Sequence, residues 1–376
     1  MNTTLPIDRR RVHCIVAAGA VSLLAWLLLQ VVSPQLPIPW TSEMREAAER
    51  MHRAATTVSQ FHERAGMAID ASLDPNRTGL IGPEYTALFT SLGQLEAKRT
   101  TTNPDVAGLL VHLFHRAGVS AGDTIAVGSS GSFPALMIAT LTAAEAMGVY
   151  PVTILSLGAS SYGATNTEFN LLDIHELLTK EDVLDTPPAA VSLGGEGDVG
   201  ADLDPAFRED LLQEMRTRGI PLLEDPDLRR NVARRMALYT GAPANIPAAR
   251  GRPAAFVNIG GSDANLGTSP TVLRIRPGLN AELAVPPAHQ RGVLSEMAAR
   301  NIPVIHLLNI RGLALRYGLP WDPVPLPEPG TTSLRTNAGE RGWPFWLLTA
   351  CYGVALGLIA LTGLSRGRPQ VPPDSG

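Results

Sequence analysis

Two uncharged apolar runs, one near each end, constrain this chain more than anything between them. Residues 12–32, VHCIVAAGAVSLLAWLLLQVV, and 343–364, WPFWLLTACYGVALGLIALTGL, contain no Asp, Glu, Lys or Arg. Each is long enough, as a helix, to cross the ~30 Å hydrocarbon layer of a bilayer. A cleaved signal peptide is the rival for the first run. Its apolar stretch exceeds the usual ~7–15 residues, however, and SPQLPIP follows it rather than an A-x-A site. Arg9, Arg10 and Arg11 precede the first run, and Arg366 and Arg368 follow the second. Trp343, Phe345 and Trp346 open the second run as an interfacial aromatic belt does. The positive-inside rule then puts the tails 1–11 and 365–376 in the cytoplasm and residues 33–342 outside it. The expected setting is the cytoplasmic (inner) membrane, with the lipid bilayer crossed twice.

The 376 residues, 45% apolar and 18% charged, can bury a large core and are not a disordered chain. The only cysteines, Cys14 and Cys351, lie in the two apolar runs, which excludes a disulfide framework and a cysteine zinc site. The net charge of −4 argues against a nucleic-acid partner. Removing the five arginines and two acids of the tails from the totals of 31 and 35 leaves −7 for the rest. Such a domain does not cling to anionic lipid heads. Lysine is nearly absent: Lys98 and Lys180 stand alone among arginines, an imbalance that reads as coding bias without a function.

Between the apolar runs the pattern changes twice. Residues 33–102 read as a juxtamembrane helix and an irregular lead-in. Met44, Ala47, Ala48, Met51, Ala54, Ala55, Val58 and Phe61 recur at helical spacing over 42–64, with Ser42 as the expected cap. Residues 74–103 show no clean period. From 103 to 323 short apolar strands alternate with amphipathic helices. Asn103-Pro104-Asp105 starts one helix and Gly118 ends it. Strands are expected near 124–128, 151–156, 189–193, 220–223, 254–259 and 302–308. Helices are expected near 133–147, 167–179, 205–218, 226–239 and 290–300. This alternation predicts an α/β fold: a mainly parallel sheet with helices on both faces. The Pro-rich stretch 324–342 reads as a linker back to the membrane.

In a parallel sheet, ligands bind where loops leave the carboxyl ends of the strands. Here those loops are Gly128-Ser-Ser-Gly-Ser132, Gly158-Ala-Ser-Ser-Tyr-Gly163, Gly194-Gly-Glu-Gly-Asp198, Glu224-Asp225 and Gly260-Gly-Ser-Asp-Ala-Asn265. Together they predict one polar cleft. Candidate ligand or anion contacts are Gly128, Ser129, Ser130, Gly131, Ser132, Ser160, Ser161, Gly260, Gly261 and Asn265. GSSGS before a helix offers backbone N–H groups and hydroxyls to a carboxylate or phosphate. It is neither a Walker A loop nor G-x-S-x-G, and an ordinary Gly/Ser turn has the same composition. Ser130, Asp198 and Asp263 are the catalytic candidates, as nucleophile or acid/base pair. Glu196, Asp198 and Asp263 are candidates for a hard cation, although solvated loop acids look the same in sequence. His112 and His115 share a helix face without a third ligand, and His306 sits in an apolar strand. Arg229, Arg230, Arg234 and Arg235 form a basic helix patch, read as a solvated face. No cofactor is evident.

The stretches DPNRTGLIGPEYT (74–86), SLGQLEAKRTTTNPD (91–105), VGSSGSFPAL (127–136), SLGASSYGAT (156–165) and SLGGEGDVG (192–200) resemble those of the poly-γ-glutamate system protein family. These are membrane-anchored proteins associated with bacterial poly-γ-glutamate synthesis and export. The similarity runs over most of residues 41–325. It implies a place in capsule-type polymer biosynthesis, with poly-γ-glutamate or its synthase complex as partner, and carries no residue roles. Two functions follow: an accessory subunit that binds polymer or synthase, or a hydrolase or transferase acting on γ-glutamyl amide bonds. With no assembled catalytic set visible in the sequence, the accessory subunit is the expectation.

Overall fold

The computed structural model describes residues 9–32, 35–241, 251–337 and 343–364. It divides into two compact units, one formed by Met1–Pro37 with Arg335–Gly376, the other by Ile38–Leu334. The first unit holds α1 (Arg9–Val32), β1 (Gln35–Pro37), β10 (Arg335–Asn337) and α12 (Trp343–Leu364). β1 and β10 pair antiparallel, and Ser22 Oγ lies 2.9 Å from Tyr352 OH between the helices. Both helices are long and apolar enough to cross a membrane, at Val12–Leu29 and Pro344–Thr362. Residues 1–8, 338–342 and 365–376 lie outside the described residues, and with them Arg366, Arg368 and the end of the expected linker.

The second unit is α/β. Its lead-in comprises α2 (Ser42–Ala65), β2 (Phe89–Ser91), α3 (Leu95–Thr101) and α4 (Asp105–Ala117). There follow β3 (Thr124–Ser130), α5 (Pro134–Ala146), β4 (Tyr150–Ser156), β5 (Ala159–Ser160), α6 (Leu171–Lys180) and β6 (Ala190–Ser192). The second half holds α7 (Pro205–Thr217), α8 (Leu228–Thr240), β7 (Ala255–Ile259), α9 (Asp263–Leu266), β8 (Gly278–Asn280), α10 (Val293–Ala299), β9 (Val304–Leu307) and α11 (Ile310–Tyr317). The main sheet has the order β6-β4-β3-β7-β9-β8 and is parallel except for β8. β2 pairs parallel with β5 outside it.

Alternate strand residues feed two apolar clusters, as the pleat requires. Ile125, Val127, Val257 and Ile305 pack with side chains of α2, α4, α5 and α11. Ala126, Ile154, Phe256 and Val304 pack with side chains of α8 and α10. The helices start and stop where local chemistry directs. Thr41, rather than Ser42, caps α2 by accepting the Met44 N–H at 3.2 Å. Asn170 and Asp173 close a reciprocal box at the start of α6. Gly118 ends α4 in the left-handed region. The expected strand 220–223 is reduced to a single parallel bridge between Leu222 and Val191.

Residues 324–334, expected as linker, are docked on the domain instead. Asp105 is fully buried and accepts the backbone N–H groups of Gly330 at 2.6 Å and Thr332 at 2.7 Å. Trp40 Nε1 donates to Thr332 O at 2.9 Å, and the Ile38 N–H to Leu334 O at 2.9 Å. The acid of the expected helix start is therefore the clasp for this strap. Asp105→Ala leaves two buried donors without an acceptor, at about 1–3 kcal/mol each. The expected outcome is a lower midpoint of denaturant unfolding, with Asp105→Asn recovering part of the loss.

Candidate functional site

From β3 the chain runs outward through β4 to β6, then returns to the other side of β3 as β7 and β9. The order therefore reverses between β3 and β7, and the carboxyl ends of these strands open a crevice there. A cavity of about 660 Å³ occupies that edge, within the usual range for small-ligand sites. Its walls include Ser130 from β3, Ser156 from β4, Gly194–Glu196 after β6, Gly261–Asp263 after β7 and Leu308–Arg311 after β9. Thr90–Gln94, Ala97 and Lys98 close it from the β2–α3 side. The crevice is narrow where β3 meets β7. Gly260 has φ +79°, and a Cβ there would strike the Ser130 hydroxyl.

The buried amine of this cavity is Lys98. It is 2% exposed, and its amine lies 2.6 Å from Ser160 Oγ and hydrogen-bonds to Ser132 O. The face of Phe133 covers it at 3.9 Å from the ring centre. No ion pair to Lys98 occurs among the described residues, so no opposite charge offsets its burial. Desolvation lowers its pKa to about 7, which leaves a large neutral fraction at physiological pH. A neutral amine accepts a proton, and a serine hydroxyl is within its reach. Ser132 fixes the other side of the arrangement: its Oγ accepts the Ser160 N–H at 3.1 Å.

The expected GSSGS cradle takes a different form. β3 runs to Ser130, so Gly128 and Ser129 are strand residues in the ladders to β4 and β7 and do not line the cavity. A Cβ at Gly128 would meet the Asn265 side chain, which is itself fully buried behind the wall. The Gly131 N–H is spent on Ser156 O at 2.8 Å, and a Cβ at Gly131 would collide with Leu157 O. Gly131 is therefore required by packing, and a bulky residue there disturbs the fold rather than ligand binding alone. Ser161 is fully buried and does not line the cavity. Ser130, Ser132, Ser160, Gly261, Glu196 and Asp263 do line it.

Asp198 is also fully buried and lies behind the cavity wall. Its Oδ1 accepts from the hydroxyls of Ser156 at 3.0 Å, Ser192 at 3.1 Å and Ser262 at 3.2 Å. Its Oδ2 is bound by Arg235, which is equally buried and held by Asn231 at 3.0 Å. With three hydroxyls on one oxygen and a buried guanidinium on the other, Asp198 is ill placed as an acid/base. It orders Ser156 and Ser262, which do reach the cavity. The helix patch thus divides. Arg235 turns inward, whereas Arg230 and Arg234 pair with Asp225 at 3.0 and 3.6 Å. That pairing takes Asp225 out of the cleft; neither it nor Glu224 lines the cavity.

Asp263 Oδ2 accepts the Gly197 N–H at 2.8 Å. Burial raises its pKa, and Asp198, Asp202 and Glu196 add repulsion against that N–H. Among the described residues, Glu196, Asp198 and Asp263 do not form a metal-ligand set. His306 bonds Asn258 at 3.1 Å in β9, and burial lowers its pKa to about 4. His115 pairs with Glu43 at 2.7 Å, away from the cavity.

Sequence reasoning missed Lys98 and Arg311. α3 has seven residues and α11 eight, too short to display a period against polar surroundings. The available signal was the rarity of lysine in a chain that otherwise uses arginine. Arginine keeps its charge even when buried; lysine does not.

Removing one partner of a buried pair leaves an uncompensated charge, at about 3–5 kcal/mol. Asp198→Ala and Arg235→Met are each expected to destabilise by that order in denaturant unfolding. The double variant Asp198→Asn with Arg235→Met is expected to recover at least half, since Asn tolerates the left-handed backbone of position 198 (φ +64°).

Compared with known proteins, the chain matches no family model, no curated protein and no solved structure.

Proposed function

We propose that the Ile38–Leu334 unit is an amide hydrolase or transferase with Ser160 as nucleophile and Lys98 as base. It would act outside the cytoplasm on the γ-glutamyl bonds of a poly-γ-glutamate-type polymer. The observation that carries this is the 2.6 Å contact between a buried, uncompensated amine and a serine hydroxyl inside a cavity. Serine–lysine pairs are a recurring variant of the nucleophile–base constellation. The substrate class comes from the motif resemblance, and the membrane setting from the two apolar helices and their arginine flanks.

The chemistry balances within the site. Ser160 Oγ attacks the γ-carbonyl carbon and its proton passes to Lys98 Nζ. The tetrahedral intermediate collapses, the C–N bond breaks, and the Lys98 ammonium protonates the leaving amine. Water or an acceptor amine then attacks the resulting ester, with Lys98 again taking the proton. Ser160 is released with its hydroxyl restored. Burial keeps water from the amine and thereby favours its uncharged form.

The accessory-subunit reading has one observation in its favour. A charged Lys98 donating to Ser132 O and Ser160 would make the same cavity a carboxylate cradle. Ser160→Ala separates the two. A hydrolase loses turnover by about 10⁶-fold with substrate binding retained, whereas a binding protein never shortens the polymer. Turnover of the unaltered chain is expected to climb with pH through about 7, as Lys98 loses its proton. Lys98→Arg, always protonated, is expected to be inactive at every pH. Chain length by gel filtration against pH is the measurement. For topology, a cysteine placed at the exposed Ser333 is expected to react with an impermeant thiol reagent on intact cells.

A further inference from the structure

The cavity carries two kinds of charge without ion-pair partners among the described residues. Glu196, Asp202 and Asp263, from the loops after β6 and β7, line its wall, and Arg311, from the start of α11, lines it too. Among the described residues none of these four has an ion-pair partner, although arginines elsewhere in the domain find theirs, as Arg218 does with Asp173 and Arg99 with Asp322. The acids also crowd one another, since Glu196 and Asp202 both oppose the charge on Asp263. The Asp202 carboxylate is held at this wall: it accepts the Glu196 N–H at 2.7 Å and takes the space a side chain at Gly195 would need. A second, independent feature points to a ligand. Ser130 is 3% exposed, lines the same cavity, and its hydroxyl has no partner among the described residues.

A mid-chain stretch of a polycarboxylate is poorly received by such walls, because each unit presents a further anion to three acids. The amino-terminal unit of a γ-linked glutamyl chain differs. It bears an ammonium and a carboxylate on one carbon, a short side chain away from the γ-carbonyl that is to be attacked. We infer that the cavity selects this free amino end, with the ammonium against Asp263, Asp202 and Glu196 and the carboxylate against Arg311. The unit is then an exo-acting γ-glutamyl hydrolase or transferase that removes residues one at a time from the amino terminus. The inference rests on the Ser160–Lys98 reading for its chemistry but not for its recognition.

Two measurements on the full chain in detergent keep the two apart. The first is binding. The Ser160→Ala variant is titrated calorimetrically with a synthetic γ-linked glutamate pentamer, either with a free amino end or N-acetylated. At least tenfold tighter binding of the free form, lost in Asp263→Asn on the same background, is expected. Equal affinity for the two pentamers overturns the inference, whatever the turnover data say. Affinity for the acetylated form that appears only with added divalent cation also overturns it, since the acids would then be metal ligands. The second is product analysis of the unaltered chain by mass spectrometry. Release of single glutamate from the free pentamer, with the acetylated pentamer at least a hundredfold slower, is expected. Internal fragments, or equal rates, overturn the exo assignment. No cleavage of either pentamer overturns the hydrolytic reading, while the binding result still decides amino-end selection.

Discussion

A carboxylate and a guanidinium, both shut off from water, hold together the edge of the sheet where the cavity opens. Asp198 and Arg235 draw in hydroxyls from β4, β6 and the loop before α9, and Arg235 brings α8 with it. Neither charge is tolerable alone in that interior, so the segments that carry them are fixed by each other's presence. Two of the serines they order, Ser156 and Ser262, form part of the cavity wall. The site's rigidity is thus set one layer behind the groups that face a ligand.

Against that fixed wall the buried amine of Lys98 is defined by what it lacks. Lys98 has no carboxylate beside it, and Phe133 and the closing α3 segment keep water away. A salt bridge would have restored its charge. The opposite choice was made at Arg99, the next residue, whose guanidinium is paired to Asp322 at 2.6 Å and stays charged. Two neighbouring cations on one short helix therefore meet opposite electrostatic fates, decided by which side of α3 each occupies.

Much of the fold was legible in the sequence. The alternation of short apolar runs with amphipathic stretches located five of the six sheet strands, and parallel polarity then placed their loops along one edge. The exact ends were less visible. β3 continues through Gly128, Ser129 and Ser130 because strands on both sides supply ladder partners, which composition cannot reveal. The same blindness made a backbone cradle of GSSGS, when the Gly131 N–H was already committed to β4. Asp198 and Arg235 stand in unrelated patterns, one a loop acid and the other a member of an arginine patch, and only their meeting gives them a role. Lys98 was visible as a rarity but not as a buried group, because burial is a property of the packed chain.

The strap over α4 has a mechanical consequence. Ile38 and Leu334, the first and last residues of the domain, are hydrogen-bonded to each other at 2.9 Å. A force pulling these two ends apart meets the contacts at this seam in sequence: first that bond, then Trp40 on Thr332, then the Asp105 clasp. It reaches the sheet only after all three have opened. The domain therefore has a weak outer fastening in series with a strong interior. Tension transmitted through the flanking segments would spend itself on the strap while Ser160 and Lys98 stay in register.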